Sequence, residues 1–285
     1  MKKIFKYTGI VAIGVVLLLI LAGAGLYYKG GNALDAKYMV ATAAIEASTD
    51  SSSLARGEHL VNMLGCSDCH GGNLAGRVMI DAPPFLVVAS NLTKGKGGVG
   101  NVYSTLDYDR AMRNGVRPDG TPLIIMPSKA VHKLADADAA AIIGYIQSLP
   151  PVDNELPETM LRPLGRVLAA SGQFDVGMEV SPEKPGHGTV PTLDDPLAYG
   201  KYSADMICAH CHQANFKGGV PMGPGPVPTD ITAYGKIPVD QFLATLRTGK
   251  TPGGRELDQE AMPIAIFNHW SDDEIKAVHA YLATL

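Results

Sequence analysis

The chain opens on an uncharged, apolar run from Thr8 to Tyr28, preceded by Lys2, Lys3 and Lys6. About 21 residues of helix rise roughly 31 Å, enough to cross a hydrocarbon core. Lysines before the run, and mostly neutral or acidic residues after it, predict an N-in, C-out single-pass anchor over residues 1–29. Tyr7, Tyr27 and Tyr28 stand where interfacial aromatics belong. A cleaved signal peptide is the alternative, with Ala22-Gly23-Ala24 as its small-residue site, although signal cores are usually shorter, about 7–15 residues. On either reading the rest of the chain is exported. Residues 30–53, ending in small and polar positions, read as a linker or extended strap. Beyond Leu54 the apolar positions recur at helical spacing, most clearly Ala139, Ile142, Ile143 and Ile146, and again Ile275, Val278 and Leu282. Asp136 and Asp272 occupy first turns, and Ser271 with Glu274 forms a capping box. Pro150-Pro151 stops the first of these helices. No alternating apolar run is long enough to make a sheet, so the expected class is all-α.

The pattern also repeats. Cys66-Ser-Asp-Cys69-His70 returns 142 residues later as Cys208-Ala-His-Cys211-His212. Arg113-x-Gly115-x-x-Pro118-x-Gly120 returns as Arg247-x-Gly249-x-x-Pro252-x-Gly254. Met126-Pro127 returns as Met262-Pro263, and Tyr145 aligns with Tyr281, both 136 residues on. Four matches in one order predict two copies of one domain, at 54–150 and 194–285. A Pro/Glu/Gly-rich linker, 151–193, separates them. Inside it Leu161, Leu164, Val167 and Leu168 mark a short amphipathic helix, either packed on the domains or docking another membrane subunit.

Composition narrows the function classes. With 24 Lys/Arg, 28 Asp/Glu and a net charge of −4, nucleic-acid binding is not indicated. Four cysteines in 285 residues do not make a small disulfide scaffold. All four fall in the two Cys-x-x-Cys-His motifs, the spacing of c-type haem attachment. Two thiols add to the haem vinyl groups and the adjacent histidine reaches the iron. The predicted cofactors are therefore two covalently bound haem c groups, with His70 and His212 as proximal ligands. A single all-cysteine zinc site and a thiol redox pair are the competing readings of the same cysteines. Met126 and Met262, each before a proline and a final helix, are the candidate sixth ligands, with His132 and His269 as rivals. The proline restricts its methionine and stiffens the strap. The cofactor-binding set is thus Cys66, Cys69, His70, Met126, Cys208, Cys211, His212 and Met262. Arg113 and Arg247 are read as solvated helix ends or as partners of haem propionates. His210, between two cysteines, is expected to be exposed, and His59, His187 and His279 to be ordinary surface or core residues. Loops 91–93 and 229–232 are expected to shape the haem edge.

On these motifs the chain resembles tandem class I cytochrome c domains behind an N-terminal anchor, as in membrane-anchored dihaem c-type cytochromes of bacterial respiratory chains. Similar tandem modules occur in the cytochrome subunits of membrane-bound alcohol dehydrogenases, which carry three such motifs, and in dihaem subunits of some quinol–oxidase supercomplexes. The resemblance implies electron transfer at the periplasmic face of a bacterial inner membrane, without catalysis by the chain itself. The partners implied are a respiratory or photosynthetic complex and a small soluble redox protein. A dihaem peroxidase-like enzyme, with one iron able to open, is the alternative in a different class. So is a subunit of a larger dehydrogenase or oxidase complex.

Overall fold

The computed structural model describes residues 2–42, 45–186, 188–221, 225–259 and 261–285, with side chains from Tyr7 onward; His187 and the side chains of Lys2, Lys3 and Lys6 lie outside it. α1 (Lys2–Gly31) is one continuous helix. It is long and apolar enough to cross a membrane, and none of its most apolar stretch is buried against the rest of the protein. After a 3-10 turn at Ala33–Asp35, the chain runs extended over the first copy. Tyr38 donates to the Gly120 carbonyl, Ala41 to Pro182 and Ser48 to Ala140. The segment is bounded by α1, which reaches Gly31, and by a helix that starts at Ser51, so it is shorter at both ends than the 30–53 read from composition.

The first copy contains α2 (Ser51–Met63), α3 (Cys66–His70), α4 (Thr105–Asp109), α5 (Ser128–Val131) and α6 (Asp136–Ser148), with a π turn at Arg110–Asn114 following α4. The linker helix α7 (Pro163–Ala170) follows. The second copy contains α8 (Pro196–Ile207), α9 (Ala209–His212), α10 (Val239–Thr248) and α11 (Asp272–Leu282). In each copy the first and last long helices pack together across a glycine. A Cβ on Gly57 would lie 2.1 Å from the Ala141 carbonyl oxygen, and one on Gly200 would lie 1.9 Å from that of Ala277. Only glycine permits this backbone approach.

The chain is mostly helical, but it holds one small sheet that its pattern did not predict. β1 (Arg77–Asp81) and β2 (Phe85–Ala89) form a bulged antiparallel hairpin, and β3 (Met160–Leu161) adds from the linker, with Phe85 opposite Leu161. β2 is nearly all apolar because neither face is free. Val87 joins a buried cluster with Ile124, Leu161 and Val176, against which Ala33, Leu34 and Ala169 pack.

The copies dock with approximate twofold symmetry. Asp138 on α6 and Glu274 on α11 are equivalent residues, both buried. Asp138 accepts two bonds from Arg56 of its own copy, each 3.0 Å, and one from the Tyr202 hydroxyl of the other copy at 2.9 Å. Glu274 accepts from the Tyr199 hydroxyl of its own copy at 2.5 Å and pairs with His59 of the other at 2.7 Å. Arg56 aligns with Tyr199 and His59 with Tyr202, so each acid binds one partner within its copy and one across. Burial raises the Tyr199 phenol to about 12 and raises that of Tyr202 further, keeping both as donors. The Trp270 indole completes the junction by donating to the Met63 carbonyl at 3.1 Å.

Candidate functional site

Each Cys-x-x-Cys-His segment lines an open cavity, and each cavity collects the residues that the repeat singled out. The first, about 170 Å³, is lined by Cys66, Cys69 and His70, by Met126, and by Ile142, Ile143 and Ile146 of α6. The second, about 510 Å³, is lined by Cys208, Cys211 and His212, by Met262, and by Ile275, Val278 and Leu282 of α11. The four cysteines are free thiols divided between the two cavities. Among the described residues, no group of three or more His, Cys, Asp or Glu side chains converges as a metal cluster, so the single all-cysteine zinc site does not form.

The histidines are oriented by backbone carbonyls. His70 Nδ1 lies 2.7 Å from the Ser90 oxygen, and His212 Nδ1 lies 2.7 Å from the Thr229 oxygen. A carbonyl only accepts, so Nδ1 carries the proton and Nε2 keeps a free lone pair, the tautomer a metal ligand needs. Burial lowers the His70 pKa and so favours the neutral ring, outweighing the hydrogen bond to Ser90, which on its own would raise it. Burial pushes the Cys66 and Cys208 thiols up to about 12, with their neighbours Cys69 and Cys211 adding to the effect. Before any covalent bond forms, these thiols hold their protons at neutral pH.

The methionines are presented by two equivalent turns. Pro127 has φ −76° and ψ 58°, and Ser128 N–H donates to the Met126 carbonyl at 2.7 Å. Pro263 has φ −74° and ψ 79°, and Ile264 N–H donates to the Met262 carbonyl at 2.8 Å. Both are inverse γ-turns, whose central φ a proline ring supplies in advance. The proline therefore fixes a tight turn on the methionine's far side, a sharper device than a stiffened strap.

Other expectations are corrected. Arg113 is fully buried: it donates to Asp109 at 2.5 Å, to the Leu134 carbonyl at 2.9 Å and to Asp136 at 2.7 Å. Arg247 likewise binds the Phe267 and Trp270 carbonyls and, at 2.6 Å, Asp272. Both arginines clamp the start of the last helix, and neither lines a cavity. The arginines that do line them are Arg117 and Arg255, on opposite sides of the equivalent turn. His210 is half-buried on the second cavity, 3.8 Å from Glu179, because the linker folds over it. His132 and His269 line neither cavity. In loop 91–93, Leu92 lines the first cavity while Asn91 and Thr93 bind the Val152 carbonyl at the start of the linker. The roles of Ser90 and Thr229 escaped sequence reasoning because a main-chain carbonyl leaves no side-chain signal.

A family model for cytochrome c matches residues 54–150 and again 197–285. The chain belongs to the cytochrome c family. Its relatives include the fructose dehydrogenase cytochrome subunit of Gluconobacter japonicus, 28% identical over 264 residues, covering 84% of this chain and 54% of that protein. The cytochrome c subunit of the quinone alcohol dehydrogenase of Gluconobacter oxydans is 26% identical over 275 residues, covering 83% and 55%. The gluconate 2-dehydrogenase cytochrome c subunit of Pantoea cypripedii is 28% identical over 173 residues, covering 55% and 37%. The chain spans about half the length of the first two. Cytochrome c domains hold covalent haem c, and the residues present fit it: paired thiols beside an imidazole with Nε2 free, and a thioether on the same apolar cavity.

Proposed function

We propose that this cytochrome c is a dihaem electron carrier and the cytochrome subunit of a membrane-bound dehydrogenase, anchored by residues 8–28 with both haem domains in the bacterial periplasm. The observation that carries the reading is that each cavity brings together one Cys-x-x-Cys-His segment and one Met-Pro turn. The division proposed is anchor 1–29, strap 30–53, domains 54–150 and 194–285, and linker 151–193.

In the first domain Cys66 and Cys69 would hold the haem covalently, with His70 and Met126 on the iron. In the second, Cys208, Cys211, His212 and Met262 take the same roles. A bound haem c supplies a one-electron ferric/ferrous couple, and His/Met ligation raises its potential. The rest is the work of the chain. Ser90 and Thr229 orient each imidazole, the proline turns set the backbone that carries each methionine, and α6 and α11 line the cavities with apolar side chains. Met126 and Met262, each on the cavity of its Cys-x-x-Cys-His segment, would take the place that a peroxidase-like iron must keep open, which supports an electron carrier over that enzyme. The relatives named above are cytochrome subunits of dehydrogenases, which supports a dehydrogenase complex as the partner over a photosynthetic or small soluble redox protein. Residues 54–150 carry 9 Lys/Arg and 8 Asp/Glu, whereas residues 194–285 carry 7 and 11. That excess of acid suits a basic docking partner steered to the second domain.

Haem counted per purified chain, with a potentiometric titration followed by haem absorbance, tests the reading. Two haems, both at high potential, are expected. One haem, or one at a much lower potential, refutes the paired His/Met assignment.

A further inference from the structure

The linker helix α7 lies against the C-terminal end of α1. A Cβ on Gly30 would fall 1.9 Å from the Arg166 carbonyl oxygen, so the two helices meet backbone to backbone. The Arg166 guanidinium sits 4.9 Å from the centre of the Tyr27 ring. The apolar run of α1 ends at Tyr28, which places α7 where that run leaves the bilayer. Yet the pair remains incompletely covered: Leu164 of α7 is 49% exposed and Tyr28 of α1 77%. In sequence Lys29 follows Tyr28, and Arg162 and Arg166 stand two residues either side of Leu164; Arg162 also pairs with Asp81 at 2.5 Å. Apolar bodies with long basic side chains at their edge match the boundary between acyl chains and phosphate headgroups.

Behind α7 the layers follow in order. Val87 and Ile124 belong to the buried cluster against which Ala33, Leu34 and Ala169 pack. The same two residues line the first cavity. One layer of side chains therefore lies between that cavity and the end of the anchor. No residue lining the second cavity belongs to α1, α7 or this cluster.

We propose that α7 and the last turns of α1 form a lipid-facing surface that seats the first domain in the headgroup layer, making the first haem cavity the membrane-side site and the second the outward one. The proposal rests on the reading that residues 8–28 span the bilayer. A second copy of this chain covering the same patch is the competing occupant.

Site-directed spin labelling separates these cases. The full-length holoprotein is reconstituted in phosphatidylcholine/phosphatidylglycerol vesicles with a nitroxide on Leu164→Cys, Ile20→Cys or Leu197→Cys. With the native cysteines bound to haem, the added thiol is the one labelled. Leu164 and Leu197 are about half exposed, at 49% and 50%, so neither change disturbs a core. Ile20 and Leu164 labels are expected to relax with oxygen, which partitions into lipid, more than with a water-soluble nickel chelate; Leu197 is expected to show the reverse. If Leu164 behaves like Leu197 while Ile20 stays lipid-accessible, the span stands and the lipid-facing surface is refuted. A Leu164 label shielded from both reagents also refutes it and identifies a protein cover. An Ile20 label accessible to the chelate overturns both readings.

Discussion

Replacing Glu274 with glutamine tests whether the acid at the domain junction holds the two halves together. Glu274 is 4% exposed. Its Oε1 pairs with His59 and Tyr199, and its Oε2 accepts the Ser271 N–H of the capping box at 2.8 Å. Burial alone would raise its pKa; the His59, Tyr199 and Ser271 bonds together outweigh burial and lower it from the ordinary 4.5 to about 2. A depressed folded pKa contributes stability that is complete above the unfolded value and is lost as pH falls toward the folded one. The gap between 4.5 and about 2 corresponds to roughly 3 kcal/mol at pH 7. At pH 3.5 the same linkage leaves roughly 2 kcal/mol, because the unfolded carboxylate is by then mostly protonated. Glutamine does not titrate, so the stability gap between wild type and Glu274→Gln should narrow by about that difference on acidification. Urea unfolding at both pH values, followed by emission of the sole tryptophan, Trp270, reads it directly at the junction. Equal stability of the two proteins at pH 7, or a gap that does not shrink at pH 3.5, would refute the reasoning.

Met126→Leu and Met262→Leu should each lower the potential of one haem and leave the other unchanged, as read by potentiometric titration. Arg113→Ala should cost about 3–5 kcal/mol, because it strands the buried Asp109 carboxylate. Arg247→Ala should cost about 1–2 kcal/mol, since it leaves carbonyls near the surface and its partner Asp272 is 57% exposed; denaturant midpoints compare the two. Gly57→Ala and Gly200→Ala should each destabilise by about 1–3 kcal/mol in thermal unfolding, because the new Cβ must push two helix backbones apart.

The candidate sites were legible because the c-type haem motif is a short, fixed spacing of side chains. Cys66, Cys69 and His70 are local, and Met126 was found through its repeat at Met262. The terminal helices were legible from period and caps, and the Ser271–Glu274 box is present. What that box concealed is that one carboxylate does two jobs: Oε2 caps α11 while Oε1 crosses to the other domain. The sheet was not legible because β1 and β2 have five residues each and β3 only two, contributed from beyond α6. Arg113 and Arg247 were misjudged for a related reason. An arginine before a turn glycine looks solvated until the loop closes and brings carbonyls from about twenty residues away onto its guanidinium.

Duplication supplies two sites, but a relay also needs them held side by side. Leu64, Pro127 and Val131 line both cavities, so the first domain builds part of the wall of the second. Trp270 lines the second cavity and donates to Met63, three residues before Cys66. The junction is therefore packed side chains, one indole bond and two equivalent buried acids, not a flexible tether. Two related domains joined only by residues 151–193 could swing apart and would need a collision for each electron passed between them. The crossed Asp138 and Glu274 contacts remove that freedom by making each domain satisfy a buried carboxylate of the other. On the proposed function, the approximate twofold is then the feature that turns two carriers into one path, with the strap and α7 fixing which end of that path faces α1.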